Sequence, residues 1–559
     1  MLNLIQRRDA VKLFVAAAIL VGGLAALWLV EPRVARLWLN TALLAAGACA
    51  IALPVGTVLA VMLFKTDVPG RGAAVLLVVG MLFVPLYLVT GAWDAGFGIQ
   101  GWHTLVTNPH LAHQPWLAGW RAAIWVHGIA AVPWVVLIAG SALRAVEAEI
   151  EEDAATCASP LSVLWHITLP RVLPAVGIAA LWIATIVLTE ISVTDFFQVR
   201  TFAEEVYTQS ALGTLEQGGG SGGRGAGSEE QEGWRIRGVG LWSGLALSVV
   251  VAGVLMIVVA RLLADWHDAA QRLPWVWRLR GGRWPMAALL LLIIALLAGV
   301  PLVNLAYKAG IHVTATDAGR VRAWSAWQLA ARLAAAPVQF RGEIWLSTWL
   351  GVCAASTSVA IGLVVAWAMC GARGQESGWG PTLMRAVGLL LVVVCLTVPG
   401  PLLGLAVIRV LDRPVGSPLA ALGALYDSNF APWLVQVIRT VPIATLVLWP
   451  ALASVPRVML DTAAMDGTGR WGQLVRIAAP QRAPAIVAAW LIAFAVSIGE
   501  LAATILVMPP QQGATALSIQ VFQLLHYGVD DRVAAICIVM VAAIAVLTGL
   551  AAKLLRRAV

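Results

Sequence analysis

The chain has 559 residues, of which 60% are hydrophobic and only 12% are charged. Soluble domains carry roughly 25% charged residues, so the composition excludes an ordinary soluble enzyme or binding module and indicates an integral membrane protein. The formal charge of +8 comes almost wholly from arginine, with lysine only at Lys12, Lys65, Lys308 and Lys553; it reads as membrane-orienting charge, and no basic run interleaved with aromatics suggests a nucleic-acid partner.

A span needs about 20 mainly apolar residues, and twelve segments qualify. They are 11–30, 39–64, 73–92, 122–143, 175–193 and 239–263, then 285–307, 346–369, 384–411, 433–452, 485–508 and 533–555. The first run lacks a small-residue cleavage site and reads as a span rather than a signal peptide. The six cysteines form no C-x-x-C pair, and all but Cys157 lie in apolar runs; they read as small core hydrophobes.

The segments expected outside the membrane are longer. Residues 93–121 hold His103, His110 and His113, and His110-x-x-His113 has helical ligand spacing but reads as wet surface rather than a metal site. Residues 217–233 form a Gly-rich flexible insert. A polar linker, 264–284, separates a first half (1–263) from a second (285–559). With the N-terminus inside, the inner segments hold Arg7, Arg8, Lys12, Lys65, Arg71, Arg261, Arg272, Arg278, Arg280, Arg283 and the basic tail. The charge rule then places both termini in the cytoplasm.

Two inner loops share one layout. Residues 151–174 (EEDAATCASPLSVLWHITLPRVLP) and 461–484 (DTAAMDGTGRWGQLVRIAAPQRAP) each open on an acidic residue and bend at small residues. Each then presents an apolar pair three apart, Leu164/Ile167 or Leu474/Ile477, and leaves through Pro-x-x-x-Pro. A spacing of 310 residues separates Pro170 from Pro480 and Pro174 from Pro484. Each copy predicts a short helix, a bend and a second short helix that the prolines stop before the next span. The paired apolar residues share a helix face and suit a partner's groove; an inter-helix loop without a partner is the plainer alternative for either copy alone.

The second copy resembles the EAA loop of binding-protein-dependent ABC importer permeases, E-A-A-x-x-D-G-A followed by F-x-x-I-x-L-P-x-x-x-P. Asp461, Ala463, Asp466, Gly467, Ile477, Pro480 and Pro484 fall on that pattern, with Asp461 in place of Glu. The first copy keeps Glu151, Ala158, Ile167, Leu169, Pro170 and Pro174, with Cys157 at the glycine position. The resemblance implies an all-α membrane protein of the type I importer permease fold, about twelve transmembrane helices in two homologous six-helix halves. The first span of each half would be peripheral. It also implies coupling residues: Asp461, Ala463, Asp466, Gly467, Leu474, Ile477 and Pro480, and more weakly Glu151, Leu164, Ile167 and Pro170. Its partners would be two ATPase subunits, an extracytoplasmic binding protein and membrane lipid. The location would be the inner membrane.

No G-x-x-x-x-G-K-[ST] run occurs, so the chain makes no P-loop of its own. It would bind no cofactor, and ATP would be used by the partner subunit. No active-site constellation stands out, so it reads as a transport subunit rather than an enzyme. Ionisable residues inside spans are functional candidates by default. Glu190 and Glu500 each lie 16 residues past the exit proline of their own loop, about 24 Å of helix, with Asp195 just beyond. They read either as an acidic ring lining the path or as carboxylates that cap a helix. The stretches LFVPLYLVTGAW, TEISVTDF, SIGELAATILVMPP and QVFQLLHYG resemble the ferric-iron branch of the family, and acidic residues in the path suit a cation. Thiamine and phosphonate permeases are the alternatives within the family. An ion-gradient-driven secondary transporter is the alternative outside it.

Overall fold

The computed structural model describes residues 32–107, 115–211, 275–316, 319–370, 379–413, 419–509 and 514–558. The expected first and sixth spans, His110, His113 and the Gly-rich insert lie outside the described residues. Seven helices are long and apolar enough to cross a membrane, and three bent pairs bring the number to ten if each is one span.

From the N-terminal side these are α1 (Pro32–Lys65), the bent pair α2 (Arg71–Met81) and α3 (Leu86–Phe97), the short α4 (Trp102–Thr107), and α5 (Gly119–Ala145). The first loop follows as α6 (Ala148–Cys157), and α7 (Pro160–Thr189) runs from the loop through the next span. Two short helices, α8 (Ser192–Phe196) and α9 (Phe202–Ala211), come next. α10 (Arg280–Gly310) leads to a hairpin of β1 (Ile311–Thr316) and β2 (Gly319–Trp324), paired antiparallel from Ile311↔Trp324 to Thr316↔Gly319. The β-branched IHVTAT segment favours this small departure from an all-helical chain.

The amphipathic α11 (Ala326–Gln339), α12 (Arg341–Cys370) and the bent pair α13 (Trp379–Thr397) and α14 (Gly400–Leu411) follow. Then come α15 (Ala421–Tyr426), α16 (Phe430–Ala453), the loop helices α17 (Arg457–Met465) and α18 (Arg470–Gln481), and α19 (Ala483–Gly499). The chain closes with α20 (Thr504–Val507), α21 (Leu517–His526) and α22 (Asp531–Ala558).

The packing repeats. α1, α5 and α7 form one three-helix cluster, and α12, α16 and α19 form another in the same sequence order. Small residues let each first pair approach closely. A Cβ at Gly56 would meet Val135 at 2.5 Å, and one at Gly362 would meet Ala444 at 3.1 Å. That is how helices associate where lipid supplies no hydrophobic drive.

The third and ninth expected spans are not straight. α2 and α3, like α13 and α14, bend by 105°. In each break a Val-Pro step disfavours helix before the proline, and Pro85 and Pro399 adopt extended ψ of 144° and 139°. The fifth and eleventh spans end earlier than expected, at Thr189 and Gly499, because the chain turns extended at Glu190 and Glu500.

α10 is peripheral, with 17% of its apolar window buried inside the protein against 39–67% for the other six long helices. It packs on α1 and α3 as well as on α22, so it straps segments from both ends of the chain. Asn304 fixes the crossing by donating to the Ala92 carbonyl at 3.1 Å and accepting from Trp102 Nε1 at 3.1 Å. The described end of the linker docks on the end of α1, where Trp277 N donates to the Lys65 carbonyl at 2.8 Å.

Candidate functional site

Each loop turns into its following span through a π turn, Leu164–Thr168 in the first and Leu474–Ala478 in the second, in identical register. The prolines act differently from the sequence expectation. In the first copy α7 continues through Pro170 and Pro174 to Thr189. The π turn has already shifted the hydrogen-bond register there, and helix-breaking residues are tolerated where neighbours re-satisfy the backbone. In the second copy the helix does break, at Arg482, and α19 leaves at 82°.

The bends also differ. Gly467 adopts φ +78°, its N–H donates to the Ala464 carbonyl at 3.0 Å, and Thr468 N donates to the Ala463 carbonyl at 2.8 Å. This is the Schellman arrangement that favours glycine. The first copy turns instead through extended Ala158 at φ −135°. No left-handed residue is required, so Cys157 fits where glycine stands in the other loop.

The apolar face presented outward is not the one the spacing suggested. Leu474 is buried in the hydrophobic cluster that also holds Leu448, Leu452 and Val455, and Leu164, Ile167 and Ile477 are half-buried. The exposed pairs are Leu161/Trp165 and Trp471/Val475, each four apart, 310 residues from each other and more than half exposed. Residues three apart and residues four apart both share a helix face, and only the packing distinguishes them. Asp461, Asp466, Gly467 and Pro480 are exposed, while Ala463 and Pro170 are half-buried.

Glu151 faces inward. It is fully buried and paired with Lys65 Nζ at 2.5 Å, and its other oxygen accepts from Thr168 Oγ1 at 2.7 Å. It therefore anchors the loop to the end of α1 rather than presenting a charge. The second loop is anchored from Arg470, which donates to the Trp367 and Ala368 carbonyls at 3.0 and 3.1 Å at the end of α12.

Glu190 and Glu500 come together. Both line one cavity of about 200 Å³ with Pro85, Tyr87, Arg439 and Gly499 among its other walls. Each carboxylate also caps the short helix that follows it. Glu190 accepts from Ser192 N at 2.9 Å, Val193 N at 3.1 Å and the Ser192 hydroxyl. Glu500 accepts from Ala503 N and Thr504 N, both at 3.0 Å, and from the Thr504 hydroxyl. The capping alternative therefore describes both side chains, which also share one cavity.

Asp195 is not among the cavity walls. It pairs with His526 Nε2 at 3.2 Å, joining α8 to α21. That hydrogen bond raises the His526 pKa above its ordinary value, against partial burial. Nearby, burial pushes the Glu204 carboxyl up to about 7.

Arg439 is the cavity residue that sequence reasoning missed. It is the one charged residue in a mainly apolar stretch of α16 (LVQVIRTVPIA), and an ionisable residue inside a span was the available signal. The cavity lining is therefore mixed in charge rather than purely acidic. Among the described residues no group of three His, Cys, Asp or Glu side chains is arranged to hold a metal ion.

No curated protein matches the chain. Residues 377–559, which hold Arg439, the second loop and Glu500, match the family of binding-protein-dependent transport system inner membrane components, and the match supports a membrane permease of the ABC importer type.

Proposed function

We propose that the chain is the transmembrane subunit of an ATP-driven importer, built as two related halves, with ATP hydrolysis carried out by separate ATPase subunits. An extracytoplasmic binding protein delivers substrate, and closure of the ATPases rocks the halves by pushing on the two loops from the cytoplasm. The observation that carries this reading is the register-matched loop pair. The two loops share one π turn and one exposed apolar pair, and the second lies inside the region that matches the family. Leu161/Trp165 and Trp471/Val475 are the docking pairs, while Leu474 and Glu151 hold the loops in shape. The cavity lined by Glu190 and Glu500 belongs to the path. An ion-gradient transporter offers no reason for these loops.

Ferric iron is the first substrate to test, on the strength of the local resemblance, with thiamine and phosphonates next. The experiment is energy-dependent uptake of labelled ferric iron by iron-starved cells lacking this chain. The cells are restored with the wild type or with the double variant Trp471→Asp, Val475→Asp. Uptake regained with the wild type alone supports the substrate and the coupling. Normal uptake by the variant, present in the membrane at wild-type level, overturns the coupling assignment. Uptake unaffected by loss of the chain removes iron.

A further inference from the structure

The surface of α11 divides three ways. At about 100° per residue, Leu329, Leu333 and Ala336 share one side, which packs on α10 and α22 in the cluster that holds Leu305, Ala309 and Val533. Gln328, Arg332 and Gln339 fall within about 40° of one another on a second side, and Arg332 pairs with Asp531 at 2.5 Å. The third side, formed by Trp327, Ala330, Ala331, Ala334 and Val338, covers about 100°. All five are exposed, Trp327 by 77% and Val338 by 68%. Arg332, the one charged residue of the helix, is not on this side. Exposed Trp345 and Trp349, four apart on one helix face, follow in the first turns of α12.

The level of α11 follows from α12. Arg470 of the second loop donates to the Trp367 and Ala368 carbonyls at the far end of α12. About 40 Å of helix separates that end from Arg341, the residue next to α11, close to the ~40–45 Å of a bilayer with its headgroups. Asp531, the partner of Arg332, likewise opens a long apolar helix, α22.

From this we infer that α11 is an interfacial helix whose partner is lipid. It lies along the leaflet opposite the two loops, with the side from Trp327 to Val338 against acyl chains and Gln328, Arg332 and Gln339 toward headgroups and water. A protein docking on that side would meet no charge and no hydrogen-bonding side chain beyond one indole, whereas protein interfaces carry about one hydrogen bond per 100–200 Å². Lipid requires neither, and tryptophan is favoured where acyl chains meet headgroups. With 14 residues α11 is too short to span, so the length of apolar runs does not reveal this contact. That the leaflet is the outer one rests on the proposed function, which puts the loops in the cytoplasm.

The test uses the full chain in nanodiscs of phosphatidylethanolamine and phosphatidylglycerol. Ala331→Cys, Ala334→Cys and Gln339→Cys are each treated with a charged maleimide and read by peptide mass, which leaves the native cysteines in place. The reactive thiolate needs water, so Gln339→Cys should react about tenfold faster than the other two, and all three should react alike once unfolded. Trp327→benzoylphenylalanine should form a phospholipid adduct on illumination. Equal rates in the folded protein, no lipid adduct, or a crosslink from position 327 to another segment of the chain or to a second protein overturns the interfacial helix. The same maleimide applied to Gln339→Cys in spheroplasts and in inverted vesicles assigns the side. Reaction in spheroplasts alone supports the outer leaflet. Reaction in inverted vesicles alone keeps the interfacial helix but puts the loops outside the cell, beyond any ATPase, and overturns the proposed function instead.

Discussion

The ion pair between Lys65 and Glu151 provides the sharpest energetic test of how the first loop is held. Both side chains are fully buried, 2.5 Å apart, and Glu151 also accepts from Thr168. Glu151→Gln keeps the shape and the acceptor for Thr168 but leaves the Lys65 ammonium buried without a countercharge. Breaking a buried pair in this way costs about 3–5 kcal/mol. The double variant Lys65→Met, Glu151→Leu removes both charges. Replacing a buried pair by apolar groups is often neutral or stabilising by about 1–4 kcal/mol. The Thr168 hydroxyl can return to the carbonyl one turn back in its own helix, so the double variant should lie within about 2 kcal/mol of wild type once that exchange is counted. The assay is equilibrium unfolding of the purified chain in detergent for wild type, Glu151→Gln, Lys65→Met and the double variant. The reasoning fails if Glu151→Gln loses less than about 1 kcal/mol, or if the double variant is as unstable as the two single losses added.

Asp195 and His526 should make stability depend on pH. The His526 pKa is raised in the folded protein, chiefly by the Asp195 hydrogen bond. The stabilisation is therefore fully present below about 6.5, the ordinary imidazole value, and is lost as pH rises through the higher folded value. Both side chains are partly exposed, so the effect is small; Asp195→Asn should lower the thermal midpoint under acidic conditions and match wild type under alkaline ones, and a pH-independent difference would refute the pairing. Glu190→Ala and Glu500→Ala should each cost about 0.5–2 kcal/mol through the lost cap, and a variant with no effect in unfolding would remove the capping role of that residue. Gly499→Ala places a Cβ 2.5 Å from the Pro85 ring, which has no flexible end to yield. It should cost about 1–3 kcal/mol and part the cavity walls, and a stability equal to wild type would show that the α3–α19 contact is looser than it stands.

Much of the fold was legible because membrane spans write themselves as apolar runs, and every expected span that falls on described residues has a helix or a bent pair over it. The 310-residue spacing of the loops reappears in space as two π turns in one register. What escaped was decided by packing. Val84-Pro85 and Val398-Pro399 sit in apolar runs that read as straight, yet the chain bends by 105° at each. Leu474 and Val475 are adjacent and equally apolar, and only the neighbours of α18 decide that one is core and the other surface. Glu151 read as a coupling charge because its partner, Lys65, lies 86 residues away at the end of another span. Arg439 left a visible sign, a lone cation in a membrane helix, that the attention to carboxylates passed over.

The anchoring of the two loops runs opposite to their match with the family pattern, and this has a measurable consequence. The degenerate first loop is held by a buried ion pair with a third hydrogen-bonded member, and α6 keeps Glu151 wholly inside. In the better-matching second loop, α17 has no buried residue, and exposed Arg470 and half-buried Gln473 supply side-chain bonds to backbone carbonyls. Few buried contacts and solvent-accessible hydrogen bonds are the marks of segments that open locally at low free energy. Amides of residues 457–473 should therefore exchange hydrogen faster than those of 148–163 in the isolated chain. Glu151→Gln should raise exchange in the first loop toward that of the second, because it removes the anchor that distinguishes them. Equal exchange in wild type would mean that the buried pair does not govern loop mobility. Faster exchange in the first loop would place the stiffer lever on the other half, where Gly467 and the exposed Trp471/Val475 pair stand.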